Sequence, residues 1–156
     1  MRDTTEKKSP AFQLRNCQRK IRVDCDAIAK ALRKCSGLFD APPCRIEIAL
    51  ISDIKIRKLN DLFLRKNTVT DVMSFRISRD SGEIIISAET AAKNGSAYGL
   101  MTEYEIIYLI IHGYLHLKNY GDYTEKERKI MFPRQNRMFN RILKKTGGTP
   151  YEHGEK

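Results

Sequence analysis

Histidine is scarce in this chain, with three among 156 residues. Two of them, His112 and His116, nevertheless stand four apart inside a run of Ile, Leu and Tyr. Cysteine is almost as sparse. Cys17, Cys25, Cys35 and Cys44 form no CxxC pair and lie far along the chain from the histidines, which argues against a zinc knuckle or disulfide frame and predicts reduced thiols. Long apolar runs are also missing. The longest, residues 106–117, contains both histidines and follows Glu103 and Glu105, so no membrane span is expected. The first ten residues, MRDTTEKKSP, lack the apolar core of a secretory signal, which predicts a cytoplasmic protein.

Acidic residues are outnumbered. Against 29 Lys and Arg stand 19 Asp and Glu, leaving a net charge of +10. Such an excess favours polyanions through counterion release and steering. Arg15, Arg19, Lys20 and Arg22 gather near the N-terminus; Arg128, Lys129, Arg134, Arg137, Arg141, Lys144 and Lys145 follow one another near the C-terminus. A solvated basic surface with no partner has the same composition, so charge alone does not decide.

With 41% hydrophobic and 31% charged residues, no internal repeat and no linker, the chain reads as one globular domain. Residues 1–10 are expected to be a disordered lead, 11–145 the domain and 146–156 a flexible tail. Alternation predicts strands over Phe12–Val23, Arg45–Ile51, Val72–Ile77 and Glu83–Ser87, the last two joined as a hairpin through Ser78–Gly82. Helices are expected from Asp24 to Cys35, from Asp53 to Leu64 after Ser52, and from Ser87 to about Asn94-Gly95. A capping box, Thr102 with Glu105, starts another that runs to Lys118. The last is expected from Thr124 to Lys145, kinked or divided by Pro133. The fold class is α+β, a mixed sheet of about four strands packed with several helices.

Residues four apart on a helix share a face, so His112 and His116 can grip one ion. Asn119 tolerates the left-handed backbone that ends a helix, and Gly121 frees the next turn to bring Asp122 back toward the pair. The pattern H-x3-H-x5-D thus offers zinc two imidazoles and one carboxylate, with a coordination position left for water. Two core imidazoles bonded to backbone are the plain alternative. The slot after His112, filled by a general-base Glu in the protease motif H-E-x-x-H, is Gly113 here, which disfavours a zinc protease.

His112-Gly-Tyr-Leu-His116-Leu-Lys-Asn-Tyr120 resembles the HGxLHLxGYDH signature of the YbeY endoribonucleases, bacterial rRNA maturation factors. Leu59-Asn60 and Thr70-Asp71-Val72-Met73-Ser74-Phe75 resemble the family's LN…PTDVLSF, Gly82–Ser87 its GDIxIS strand, and Glu127…Met131 the segment after the metal motif. The blocks stand in family order from about Cys17 to Leu143. The resemblance implies a zincin-reminiscent α+β fold with a metal-binding helix at its centre. It also implies a zinc ion and single-strand RNA cleavage in 16S rRNA 3′-end maturation and ribosome quality control.

By position His112 and His116 carry over as metal ligands. The family's third histidine falls at Asp122, its preceding Asp at Gly121 and its glycine at Asn119. A usual arginine falls at Leu64, with Arg65 beside it, and the usual proline at Val69. Metal: His112, His116 and Asp122; charge compensation: Arg65; cleft-lining, by analogy: Asp71 and Ser74. Zinc is expected as the cofactor, although a carboxylate in the ligand set widens the choice of ion. The expected partners are single-stranded rRNA and the small ribosomal subunit. Two rival readings stand beside the nuclease: an RNA-binding assembly factor that has lost turnover, and a metal hydrolase of a peptide or small ester.

Overall fold

A computed structural model describes residues 8–148. Most of the expected lead and tail lie outside that range. Within it, Pro10 is buried, the Lys8 carbonyl accepts a hydrogen bond from the Ala41 amide at 2.9 Å, and Thr146 still belongs to the last helix. The element order is β1 (Ala11–Asn16), α1 (Cys25–Lys34), β2 (Arg45–Ile51), α2 (Asp53–Leu64), β3 (Val72–Arg76), β4 (Ser81–Ser87), α3 (Ala88–Ala97), α4 (Thr102–Leu117) and α5 (Glu125–Thr146). A short 3-10 turn, Ser36–Leu38, follows α1. The sheet order is β1-β2-β4-β3, with the first three strands parallel and β3 antiparallel along an edge.

The α+β architecture with a four-stranded mixed sheet agrees with the sequence reading. The helix starts are chemical. Asp24, Ser52, Ser87 and Thr124 each accept, through a side-chain oxygen, the amide of the residue three positions on, which occupies one of the donors a helix leaves free.

The two sheet faces carry different loads. Ile46, Ile48, Leu50, Ile84 and Ile86 project into the main core with Ile28 and Leu32 of α1, Ile107 and Ile111 of α4, and Phe139 and Ile142 of α5. On the opposite face Ile51, Met73 and Ile85 meet Ile56 of α2 in a smaller cluster.

Four expectations shift. The first strand stops at Asn16, because Asn16 Oδ1 accepts the Gln18 amide and Gln18 Oε1 accepts the Ile21 amide, turning the chain where Ile21 and Val23 would have extended the alternation. Helix α3 runs past Asn94-Gly95 to Ala97. Gly95 lies buried against the Leu100 carbonyl and Glu105, so its missing side chain serves close packing, not termination. Thr102 is the first residue of α4, not its cap; Met101 occupies the cap without a side-chain bond, and Glu105 is buried. Helix α5 is undivided. Pro133 withholds one amide from the ladder, and the partner this strips belongs to Lys129 on the exposed side, where water can take its place.

Helix α4 lies flush on the sheet. A Cβ at Gly113 would stand 2.9 Å from Ile84 Cγ2 and 3.0 Å from two further atoms of that side chain, and a Cβ at Gly82 would stand 2.6 Å from Leu117 Cδ1. A glycine inside a helix costs about 1 kcal/mol relative to alanine, so the close approach is worth more than propensity. Ile84 is wholly buried and has nowhere to move. Gly113→Val is therefore expected to lower stability by roughly 1–3 kcal/mol through overpacking. Urea unfolding checks this, and an unchanged midpoint would mean that something other than this contact sets the height of α4.

Candidate metal centre

The helix positions fix where the histidines point. Gly113 faces β4, and at about 100° per residue His112 and His116 sit on one flank of that line while Tyr114 sits on the other. Tyr114 marks its flank plainly. Its hydroxyl accepts the Asp40 amide at 2.7 Å and its ring packs edge-on against Phe39, which in turn meets Phe12 of β1. The histidines consequently face the other way, toward β3 and the open edge of the sheet.

Asp122 arrives by the loop after α4. The helix closes with Asn119 at φ 69, the left-handed conformation that Asn accommodates better than most residues. The expected role of Gly121 changes. Its backbone needs no special freedom, but a Cβ there would come within 2.3 Å of Glu127 Oε2. Glu127 itself accepts the Tyr123 amide at 3.0 Å, and Arg128 donates to the Asp122 and Tyr123 carbonyls at 3.1 and 3.0 Å. The loop is thus clamped from α5.

Three ligand atoms converge. His112 Nε2 and His116 Nε2 are 3.0 Å apart, and Asp122 Oδ2 lies 3.3 Å from the first and 3.4 Å from the second. An ion bonded tetrahedrally at about 2.0–2.1 Å would hold its ligand atoms about 3.3–3.4 Å apart. The triangle is close to one face of that tetrahedron, and an ion held there would have its fourth vertex for a small ligand. The site is partly open, with side-chain exposures of 17% for His112, 26% for His116 and 28% for Asp122.

The other ring nitrogens set the protonation pattern. His116 Nδ1 lies 2.9 Å from the Tyr120 carbonyl oxygen, and His112 Nδ1 lies 3.2 Å from Gln135 Oε1. Both partners accept, so each Nδ1 carries the proton and each Nε2 presents a lone pair. Gln135 is buried, and its Nε2 donates to the Tyr108 carbonyl at 3.3 Å, which fixes its amide orientation. Two imidazole lone pairs and a carboxylate oxygen in mutual contact call for a shared cation. Zinc fits this nitrogen and oxygen set, and so do other borderline divalent ions.

Electrostatics keep the ligands ready. Burial, then the neighbouring His112, lowers the pKa of His116 from 6.5; when no cation lies between them and His112 Nε2 carries a proton, the hydrogen bond it gives Asp122 lowers that carboxyl from 3.8 against the effect of burial.

The remaining candidates are dispersed. Ser74 pairs with Ile84, which touches the Gly113 position, so Ser74 projects on the α4 face of the edge strand beside the histidine flank. Asp71 stands just before β3, where its carbonyl accepts the Ser87 amide at 2.9 Å. Arg65 caps α2 at φ 53 and is exposed; among the described residues no hydrogen bond or ion pair joins it to His112, His116 or Asp122. Gln135 was missed by the sequence reading, although its register with Met131, Met138 and Ile142 puts a polar residue in a buried stripe. Arg76 was missed too. It shares the Ser74 face and donates to the Leu117 carbonyl beside His116.

A family model described as Endoribonuclease YbeY matches residues 6–143. The chain belongs to the YbeY family. Curated YbeY relatives include Endoribonuclease YbeY of Syntrophus aciditrophicus, 30% identical over 78% of this chain and 81% of that protein. Another, from Phytoplasma mali, is 34% identical over 79% and 84%. The solution structure of TM1509 from Thermotoga maritima superposes with a TM-score of 0.62 at 20% identity, covering 94% of this chain and all of that one, a likeness of fold. Against the YbeY signature, Asp122 stands where a third histidine is usual.

Two outcomes follow for the centre. Gln135→Leu should weaken metal affinity about 10–100-fold, the usual effect of losing a hydrogen-bond partner behind a ligand, as read by competition with a chromophoric chelator. In chelated protein, stability should fall as pH drops below 6.5, because the unfolded chain takes up a proton at position 116 that the folded chain refuses. Asp122 acts in a separate window, its contribution being lost only below 3.8 as pH falls through the folded value. Denaturation midpoints between pH 7 and 5 should therefore slope less in His116→Gln, and equal slopes would refute the assignment.

Proposed function

We propose that this chain is a metal-dependent endoribonuclease specific for single strands, acting in 16S rRNA 3′-end maturation and ribosome quality control. The observation that carries the reading is the convergence of His112 Nε2, His116 Nε2 and Asp122 Oδ2 at 3.0–3.4 Å. The name of its family supports the substrate class, and so does the charge of +10. The work falls to one domain over residues 11–145, in the cytoplasm, with single-stranded RNA and the small ribosomal subunit as partners.

His112, His116 and Asp122 would hold the ion, zinc being the expected one. When bound, a divalent cation supplies Lewis acidity toward a phosphoryl oxygen and toward attacking water. Hydrolysis adds that water across one phosphodiester, leaving a phosphomonoester on one fragment and a hydroxyl on the other. Gln135 and the Tyr120 carbonyl hold the two rings in register. Ser74 and Asp71 line the edge-strand side of the cleft, and Arg65 offsets charge on the transition state.

Asp122 favours a second reading. A carboxylate donates more negative charge to the ion than a neutral imidazole and makes it a weaker Lewis acid, which suits an RNA-binding assembly factor with little turnover. The experiments separate these. His116→Ala should lose stoichiometric metal and RNA cleavage together, and cleavage by the metal-free variant would end the metal-dependent reading. Asp122→His should raise zinc affinity and cleavage together only if the natural protein is impaired. Turnover on RNA should fall steeply between about 50 and 200 mM salt; activity on a peptide or small ester that ignores salt would point to a different hydrolase.

A further inference from the structure

A second concavity lies at the other end of α4 from the histidines. It is a groove of about 570 Å³ between one face of α1, the first turns of α4 and the last turn of α5. Ligand pockets commonly hold about 300–1,000 Å³. Its hollow owes its depth to Ala27 and Ala31, small residues on the α1 side, facing Tyr104 and Ile107 of α4. The Tyr104 ring is fixed. It packs edge-on against buried Phe139, and its hydroxyl lies 3.1 Å from Thr146 Oγ1.

The groove is polarised along its length. Asp24 and Glu103 stand at one end, tied together where Glu103 Oε1 accepts the Asp24 amide at 3.0 Å. Lys30, Lys34 and Lys145 stand toward the other. Ten residues of helix separate Asp24 from Lys34, about 15 Å of rise. Among the described residues none of these three lysines makes an ion pair. Lys34 and Lys145 come from different helices, yet both oppose the rise that burial imposes on the Cys35 thiol, so their charges act on one place. Helix dipoles account for a base in the last turn of α1 and of α5. They do not account for Lys30 one turn earlier, nor for the apolar hollow between the lysines and the acids.

An occupant must bring an anion to the lysines, a flat apolar body to Tyr104, Ile107 and the alanines, and hydrogen-bond donors to the carboxylates. A nucleotide meets those demands in its covalent order: a phosphate, then the ribose and the face of a base, then the amino group that adenine, guanine or cytosine carries on its outer edge. We infer that this groove binds a nucleoside monophosphate unit, either free or as the phosphorylated end of an RNA strand. The site is distinct from the metal centre, and it stands or falls without the nuclease reading.

The test is calorimetric titration of adenosine 5′-monophosphate into the intact protein, with adenosine, inorganic phosphate and a 5′-phosphorylated tetranucleotide as comparisons. The monophosphate should bind saturably and at least tenfold more tightly than either adenosine or phosphate. Lys34→Ala combined with Lys145→Ala should weaken it at least tenfold while leaving adenosine unchanged. Ala27→Phe, at an exposed position on the groove wall, should block both. His116→Ala should leave binding intact, separating the groove from the metal centre, and RNA cleavage by the two groove variants reports the nuclease reading independently. Equal affinity for nucleotide and tetranucleotide identifies a free ligand; a tenfold preference for the tetranucleotide identifies a strand end. No saturable binding, binding matched by inorganic phosphate alone, or binding lost in His116→Ala would each overturn the inference.

Discussion

Contact between the Gly113 backbone and Ile84 sets the rest of the site. With no side chain at 113, α4 settles onto β4 at a depth that no other residue permits. Depth and rotation are coupled. Once Gly113 faces the sheet, Tyr114 must face β1 and the histidines must face the free edge at β3. The same glycine that occupies the slot of a protease base is therefore a packing residue that aims the ligands. Sequence motif and core packing meet in one atom's absence.

The centre is then assembled from three separate stretches of chain. Two rings come from α4, one carboxylate from a loop held by Glu127 and Arg128, and the orientation of His112 from Gln135 on α5. Each interaction is modest alone. Together they order three electron-rich atoms that repel one another until a cation or a proton arrives, and the depressed pKa of His116 shows the protein favouring the proton-free form. The exchange of imidazole for carboxylate at the third position would lower the net charge of a loaded site by one.

Much of this was legible in the chain. Arg45–Ile51 and Asp53–Leu64 were bounded correctly, because a clean alternation and a Ser cap leave little room for rivals. The shared face of His112 and His116 follows from helix periodicity, and the left-handed turn at Asn119 from the tolerance of that residue type. Failures came where a residue type has two uses. Gly95 and Gly121 are small for neighbours' sake and not for backbone freedom, and Thr102-Glu105 mimics a cap while the acid is spent in the interior. Gln135 was hidden because its partner lies 23 positions away, beyond any local pattern. Arg65, in contrast, follows from adjacency to a family position, and among the described residues no hydrogen bond or ion pair ties it to the ligands.

The bond between His112 and Gln135 has a thermodynamic side. An ion that prefers the ordered ring also prefers the state in which α5 is docked, so occupancy and docking are linked functions. A cation on α4 and its loop would then act as a clasp for a 22-residue helix that contributes none of its ligands. Without that ion α5 would loosen before the sheet is disturbed, and proteases would meet it first.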